Sequence, residues 1–126
     1  MPSNQVIYTY TRAQALADGV LVDSTKLAIE AGFNWPVAFS DSLYHQYIVP
    51  SLALAQSGHS IEARAWNILQ VLRSLIHTKK DYDFVRFSVA FLMDSSKEPE
   101  TVELIAVAGP GDRFEPVITV MLPGDD

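Results

Sequence analysis

The sequence predicts an α+β fold, in which helices in the N-terminal two-thirds pack on one face of a sheet completed by a C-terminal three-stranded antiparallel meander. Residues 61–77 place apolar side chains at steps of three and four, which is typical of an amphipathic helix. In residues 84–93 large apolar side chains instead occupy every second position from Val85 to Met93, as on the buried face of a strand. Further strands are predicted at 101–108 and 116–122. Because the connections are short, these three strands should pair antiparallel.

The N-terminal elements follow from local signals. Residues 5–10 are rich in β-branched and aromatic side chains and predict a strand. Thr11 and Gln14 have the spacing of a capping box, which predicts a helix over 12–18. The remaining expectations are an extended segment at 20–23, a helix capped by Ser24 that runs through Ala31, an extended segment at 35–40, a helix at 41–49 capped by Ser40, and a loop at 51–59.

Composition limits the class of protein. The chain of 126 residues is the length of one domain, so we expect a single α+β domain over 1–126. There is no cysteine, which excludes disulfides and a cysteine nucleophile and favours a reducing compartment. The start has no basic leader followed by an apolar run, and no segment has the length of a membrane span. A cytoplasmic protein that does not enter membranes is therefore expected.

The charge balance argues against nucleic acid as a partner. Acidic residues outnumber basic residues fifteen to nine, and the formal net charge is −6. Phosphate backbones attract clustered Lys and Arg, whereas here the basic residues are mostly scattered. A protein partner or self-association is the better expectation, because 48% of the residues are hydrophobic and only 19% are charged.

The loop at 109–115 is the main candidate site. Gly109-Pro110-Gly111-Asp112 fits a type II turn, with positive φ at Gly111. A strand rather than a helix follows, which argues against a phosphate-binding glycine loop. The segment is either a hairpin connection or a binding loop. As a binding loop, it would act through Asp112, Arg113 and Glu115.

Two further residues, Arg12 and Asp23, flank the first helix and could meet at one end of the sheet, either as a binding pair or as a structural ion pair. The three histidines, at 45, 59 and 77, lie in separate segments without metal-ligand spacing, so no metal and no cofactor is predicted. No serine-nucleophile motif occurs, and catalytic residues stay unknown. The end at Gly124-Asp125-Asp126 is expected to be a solvated tail.

Three stretches of the chain resemble an uncharacterised bacterial family of unknown function that is carried on plasmids, integrative elements and phages. They are YTYTRAQALADGVLVD (8–23), EAGFNWPVA (30–38) and AVAGPGDRFEPVITVMLPGDD (106–126). The resemblance covers nearly the whole chain. It implies no activity and no catalytic residue. It does imply a setting, that of a small accessory protein of a mobile genetic element that binds a host or element protein.

Two functions are therefore carried forward. The first is a soluble interaction module that acts by protein–protein contact. The second is a small hydrolase or transferase that acts on a nucleotide or nucleic acid and uses the five candidate residues. The residues themselves do not decide whether the protein is an enzyme. Convergence of the candidate side chains in one cleft would favour the second function.

Overall fold

The structure, a computed structural model, describes residues 10–78 and 83–125, without the side chains of 77 and 78. The strand predicted at 5–10 therefore lies outside the described residues, except for Tyr10. The helices are α1 (Arg12–Ala17), α2 (Thr25–Glu30), α3 (Asp41–Leu43), a π-helix (Tyr44–Ile48), α4 (Leu52–Gln56) and α5 (Ile61–Thr78). The strands are β1 (Leu21–Asp23), β2 (Val37–Ser40), β3 (Phe84–Phe91), β4 (Glu100–Pro110) and β5 (Pro116–Met121).

The five strands form one mixed sheet in the order β1-β2-β5-β4-β3. The last three strands are consecutive antiparallel neighbours, but β2 lies parallel to β5, with Val37 opposite Ile118. The predicted fold class is wrong on this point, because antiparallel pairing alone does not complete the sheet. Local patterns show which consecutive strands form hairpins. They do not show that β5 returns to lie beside β2, a strand that precedes it by most of the chain.

One face of the sheet carries the main core. In β3 the burial alternates strictly, with Val85, Phe87, Val89 and Phe91 buried. These side chains join one apolar cluster with the buried stripe of α5, as the periodicity predicts. The 18-residue helix α5 is the longest element, and α2, α3 and the π-helix contribute to the same cluster.

The opposite face holds α1, so the expectation that all helices lie on one face is also wrong. Arg12 donates to the side chain of Thr119, which alternation places on the face away from Ile118 and Val120. The capping box of α1 is confirmed: the Thr11 hydroxyl accepts from the Gln14 amide at 3.0 Å, and the Gln14 side chain accepts from the Thr11 amide at 2.9 Å.

Two helical expectations are corrected by local geometry. The helix predicted at 41–49 begins at the Ser40 cap, but it is α-helical for only one turn and then widens into the π-helix. The loop predicted at 51–59 contains α4, because the Ser51 hydroxyl accepts from the amide of Leu54 and the side chain of Leu54 is buried. Short helices of this kind are fixed by capping and tertiary contact rather than by sequence period.

A buried arginine joins three elements on the core side. Arg64 of α5 is 7% exposed, and it donates to the carbonyl oxygen of Tyr47 and to that of Leu92, each at 2.9 Å. Its guanidinium lies 5.4 Å from the ring centre of Phe91. The π-helix and the end of β3 are therefore both tied to α5. No described helix is long and apolar enough to cross a bilayer.

Candidate functional site

Arg12, the first residue of α1, is held against β5. One terminal nitrogen of its guanidinium donates to the Thr119 hydroxyl at 2.7 Å, and the other donates to the carbonyl oxygen of Ile118 at 3.0 Å. Ile118 is in the strand that the structure pairs with β2, so the contact depends on the tertiary arrangement and not on sequence proximity. The arginine fixes the position of α1 on the sheet.

Asp112 closes the same contact from the β4–β5 loop. Its two carboxylate oxygens accept from the backbone amides of Arg12 at 2.8 Å and Ala13 at 2.9 Å. Amides at a helix N-terminus have no partner within the helix, and a carboxylate suits both them and the helix dipole. Hydrogen bonds from Ala13 and Arg12 hold the pKa of Asp112 below its ordinary value, with the charge of Arg12 adding to the effect. The loop is therefore anchored to α1.

Four of the five predicted site residues lie near one another at this place. Burial lowers the pKa of Arg12, and the negative charges of Asp23, Asp112 and Glu115 act against that shift. The three carboxylates are thus close enough to act on one half-buried cation, while the hydrogen bonds of its guanidinium go to Thr119 and Ile118. Arg113 is different: within the described residues its side chain makes no hydrogen bond or ion pair, and only its backbone amide takes part, donating to Glu115 Oε1 at 2.9 Å.

The hydrogen bonds of this cluster are internal to the protein. Asp23 accepts from the hydroxyl of Thr25 at 2.6 Å and from its amide at 3.2 Å, which fixes the start of α2 in place of the expected Ser24 cap. Asp112 and Glu115 accept from backbone amides. The cluster can fix the relative positions of α1, α2 and the loop at one end of the sheet. Ligand binding by these five residues stays a prediction.

The loop from Gly111 to Glu115 has a different conformation from the one predicted. Gly111 does not have positive φ; the left-handed residue is Phe114, with φ of 63°. The type II turn is therefore wrong, because β4 continues through Pro110, which pairs with Pro116. The Gly111 amide donates to the Glu115 carbonyl at 2.6 Å, and the Phe114 amide donates to the Gly111 carbonyl at 3.0 Å. The turn is closed by the backbone.

Gly111 lies against the end of the Glu115 side chain. A Cβ at this position would lie 2.5 Å from Cδ of Glu115, whose carboxylate accepts from the Arg113 amide. Any side chain at 111 would therefore require the flexible end of Glu115 to move.

Phe114 stands out from the surface. Its side chain is 88% exposed, and a non-glycine residue in the left-handed region is uncommon and strained. The sequence pattern did not single out this residue, because exposure of one aromatic in a charged loop has no periodic signal. The only usable signal was an aromatic residue between Arg113 and Glu115, where a turn favours polar residues or glycine.

Two depressions share Trp35, and the second of them adjoins the loop. The first has a volume of about 290 Å³ and is lined by apolar and polar groups, among them Phe33, Asn34, Trp35, Arg73, Ile76 and Ile118. The second, about 230 Å³, is lined by Phe114 together with Trp35, Asp83 and the prolines at 110 and 116. Trp35 belongs to both. Phe114 and Trp35 therefore belong to one continuous surface, which we call the Phe114 surface.

Arg73 is positioned at the rim of the first depression. Its Nε donates to the carbonyl oxygen of Gly32 at 3.2 Å. Gly32 has φ of 101°, and a Cβ there would lie 3.0 Å from Nε of Arg73. A glycine thus both ends α2 and leaves room for the guanidinium. Arg73 brings positive charge to a depression that is otherwise lined by neutral groups.

The C-terminal turn forms a second carboxylate anchor that the sequence analysis missed. Asp125 Oδ2 accepts from the Ser40 hydroxyl at 2.7 Å, the Ser42 hydroxyl at 2.5 Å and the Leu122 amide at 2.9 Å. Partial burial would raise the pKa of Asp125, but the hydrogen bonds outweigh it and the pKa is lowered. Asp125 is therefore not part of a solvated tail, while Asp126 lies outside the described residues.

Within residues 10–78 and 83–125, no group of three or more His, Cys, Asp or Glu side chains is placed to hold a metal ion. His45 pairs with Asp41 at 2.7 Å on the surface, and His59 lies against Arg64. His45 and His59 thus have separate local partners.

Comparison with known proteins places the chain in a family but gives it no activity. No curated protein and no solved structure matches the chain. One family model matches residues 1–126, which is the whole sequence. The chain, with α1 and the Phe114 loop clamped at one end of a mixed sheet, belongs to the family of unknown function DUF6573.

Proposed function

We propose that this protein is a small accessory protein that acts by protein–protein interaction, and that the Phe114 surface is its binding site. The observation that carries the proposal is the exposure of a phenyl ring on a loop that the fold holds in a strained conformation. Burying such a ring is worth about 1.5–3 kcal/mol, which the free protein forgoes. The left-handed conformation costs a further 1 to 3 kcal/mol, roughly.

A partner that covers Phe114 would gain the free energy of burying its ring. The loop is already ordered by backbone hydrogen bonds at Gly111 and by the Asp112 anchor on α1. Binding would therefore lose little loop entropy, and preorganisation of this kind favours affinity. Exposed aromatic anchors beside concave pockets are typical of the residues that dominate protein interfaces. The depression shared by Trp35 and Phe114 offers such a concavity.

The chemistry of the surface indicates the character of the partner. The Phe114 ring and Trp35 supply apolar contact, Arg73 supplies positive charge in the first depression, and Asp83 supplies negative charge in the second. A complementary partner would bring an apolar patch with a carboxylate on the Arg73 side and a basic group on the Asp83 side. A cytoplasmic protein of a mobile genetic element or of its host is the partner that the resemblance implies.

The alternative, a small hydrolase or transferase, has in its favour the proximity of four candidate residues, but their polar groups are engaged within the protein. In the described part of the chain, the carboxylates of the Arg12 cluster accept hydrogen bonds from amides and from Thr25. Their arrangement joins elements of the fold. The same contacts explain why these polar residues occur at one end of the sheet.

Site-specific photocrosslinking tests the proposal. A benzophenone side chain replaces Phe114 in one variant and Leu52 in a control, because Leu52 is also an exposed apolar residue, at 76%, but lies on α4. Both variants are expressed in cells that naturally carry the chain. We expect one discrete crosslinked protein from position 114, absent at position 52 and lost when unlabelled wild-type protein competes.

A second variant separates binding from stability. Asparagine tolerates the left-handed region better than phenylalanine, so Phe114→Asn should melt at the wild-type temperature or above it. It should nevertheless lose capture of the crosslinked protein, with an affinity at least about tenfold weaker, the equivalent of 1.4 kcal/mol. If Phe114→Asn binds that protein as tightly as the wild type does, Phe114 is not the anchor and the proposal fails.

A further inference from the structure

The outer edge of β3 carries backbone groups that no other described strand pairs. The Ala108 amide donates to the Asp83 carbonyl at 2.9 Å, so this directly opposed pair is hydrogen bonded. In an antiparallel ladder the hydrogen-bonded pairs alternate, and the buried residues of β3 therefore bond to β4. It follows that the N–H and C=O groups of the alternate residues of β3 point away from β4, to the open edge. These residues are Phe84, Arg86, Ser88 and Ala90.

This edge lacks the features that usually prevent strand pairing. The register of β3 against β4 is unbroken over eight residue pairs, so no bulge interrupts it, and the strand contains neither proline nor lysine. Exposed edges are normally protected by such features or by short length. The other described edge strand, β1, has only three residues. The two edges of the sheet thus differ in their capacity to accept a strand.

We propose that β3 pairs antiparallel with β3 of a second copy of this chain, which joins the two sheets through a twofold axis. Self-complementarity favours a second copy as the occupant. With the axis at Phe87, Phe84 lies opposite the partner's Ala90, and Arg86 lies opposite the partner's Ser88. All four outward residues of each strand are then paired, which gives about eight hydrogen bonds at two for each opposed pair.

Other registers are less favourable. An axis at Arg86 places two arginines directly opposite each other, and like charges across a strand pair are destabilising. An axis at Ser88 moves Phe84 beyond the end of the partner strand and loses one hydrogen-bonded pair. The register centred on Phe87 also sets the Phe84 ring, which is 47% exposed in the single chain, against an alanine. The side-chain pattern therefore selects one register.

Analytical ultracentrifugation of the full chain tests this dimer. Ser88→Pro removes an N–H that faces the open edge, so the ladder with β4 keeps its own bonds, and proline is tolerated at edge strands. By symmetry the dimer loses two hydrogen bonds, and its dissociation constant should rise about tenfold or more.

A matched charge change supplies the control. Ser88→Lys places a cation opposite the partner's Arg86 and should also give monomers. Thr101→Lys adds the same charge on the same face of the sheet, but on β4, which is not an edge strand. It should leave the dimer intact. Circular dichroism melts check that all variants are folded, and Phe114→Asn should also stay dimeric, since its site is separate.

The register is read from cysteine pairs, because the wild-type chain has no cysteine. Mixed Arg86→Cys and Ser88→Cys chains should form the heterodimeric disulfide faster than either variant crosslinks to itself. A wild-type protein that sediments as a monomer at about 100 μM, well above the micromolar range of ordinary interfaces, overturns the proposal. A folded Ser88→Pro variant that dimerises as tightly as the wild type overturns it as well.

Discussion

Two arginines hold the two sides of this protein together by different means. Arg64 lies in the apolar cluster, satisfies carbonyl oxygens of the π-helix and β3, and has no carboxylate among its described contacts. Arg12 lies on the opposite face, where the charges of three nearby carboxylates act on it. Burial lowers the pKa of both. Arginine therefore acts mainly as a hydrogen-bond donor at position 64 and in part through its positive charge at position 12.

The difference shows what each arginine contributes. A guanidinium among carbonyl oxygens is held by geometry, because its planar fork matches separate acceptors. A guanidinium among carboxylates at a half-exposed position is held in part by charge, and solvent weakens that part. Removing Arg64 leaves buried polar groups unpaired, whereas the acceptors around Arg12 regain water.

The largest effect is expected for Arg64→Ala. It leaves the carbonyls of Tyr47 and Leu92 without their donor and opens space beside Phe91, so we expect a loss of about 3 kcal/mol in the free energy of unfolding. Arg64→Lys keeps the charge but not the fork, and should lose most of the same stability. Urea unfolding followed by circular dichroism measures both. If Arg64→Lys is as stable as the wild type, the charge of Arg64 and not the geometry of its guanidinium stabilises the contacts with Tyr47 and Leu92.

A smaller effect is expected for Arg12→Ala, about 1–2 kcal/mol, because two charge-assisted hydrogen bonds are lost where water can reach. Here Arg12→Lys should recover a larger share of the loss than lysine does at Arg64, since the cation stays among three carboxylates. Raising the salt concentration to about 1 M should reduce the difference in the free energy of unfolding between Arg12→Ala and the wild type, because the Debye length falls to about 3 Å. If this difference in stability does not change with salt, charge does not contribute to the docking of α1.

The smallest effect is a dependence of stability on pH that comes from Asp112 and Asp125. Both have a lowered pKa in the folded protein. A carboxylate of this kind contributes stability above its unfolded pKa of about 3.9, and the contribution is lost as pH falls through the folded pKa. Melting temperatures measured from about pH 5 down to pH 3 should fall for the wild type.

The variant with Asp112→Asn and Asp125→Asn together should start from a lower melting temperature at neutral pH and lose less of it on acidification. Arg113→Ala is the control, because its side chain has no hydrogen bond or ion pair among the described residues. It should follow the wild-type curve. If the melting temperatures of the wild type, the double variant and Arg113→Ala fall in parallel with pH, other carboxylates are responsible for the loss of stability in acid.

The candidate site was accessible from the sequence only in part. Arg12, Asp23, Asp112 and Glu115 were selected for their charge at the ends of predicted elements, and the structure brings them together. Phe114 and Asp125 were missed, because one depends on exposure and the other on contact with Ser40 and Ser42. Neither property has a period or a spacing in the chain.

Local chemistry determined the elements themselves. The Thr11–Gln14 capping box fixed the start of α1, the three- and four-residue steps fixed α5, and strict alternation fixed the buried face of β3. These features depend on neighbours within a few residues, so the sequence displays them directly. Tertiary structure decided the parallel contact of β2 with β5, the placement of α1 on the second face and the positive φ of Phe114. Each of these depends on groups far apart in the chain, whose meeting is set by packing and hydrogen-bond satisfaction of the whole domain.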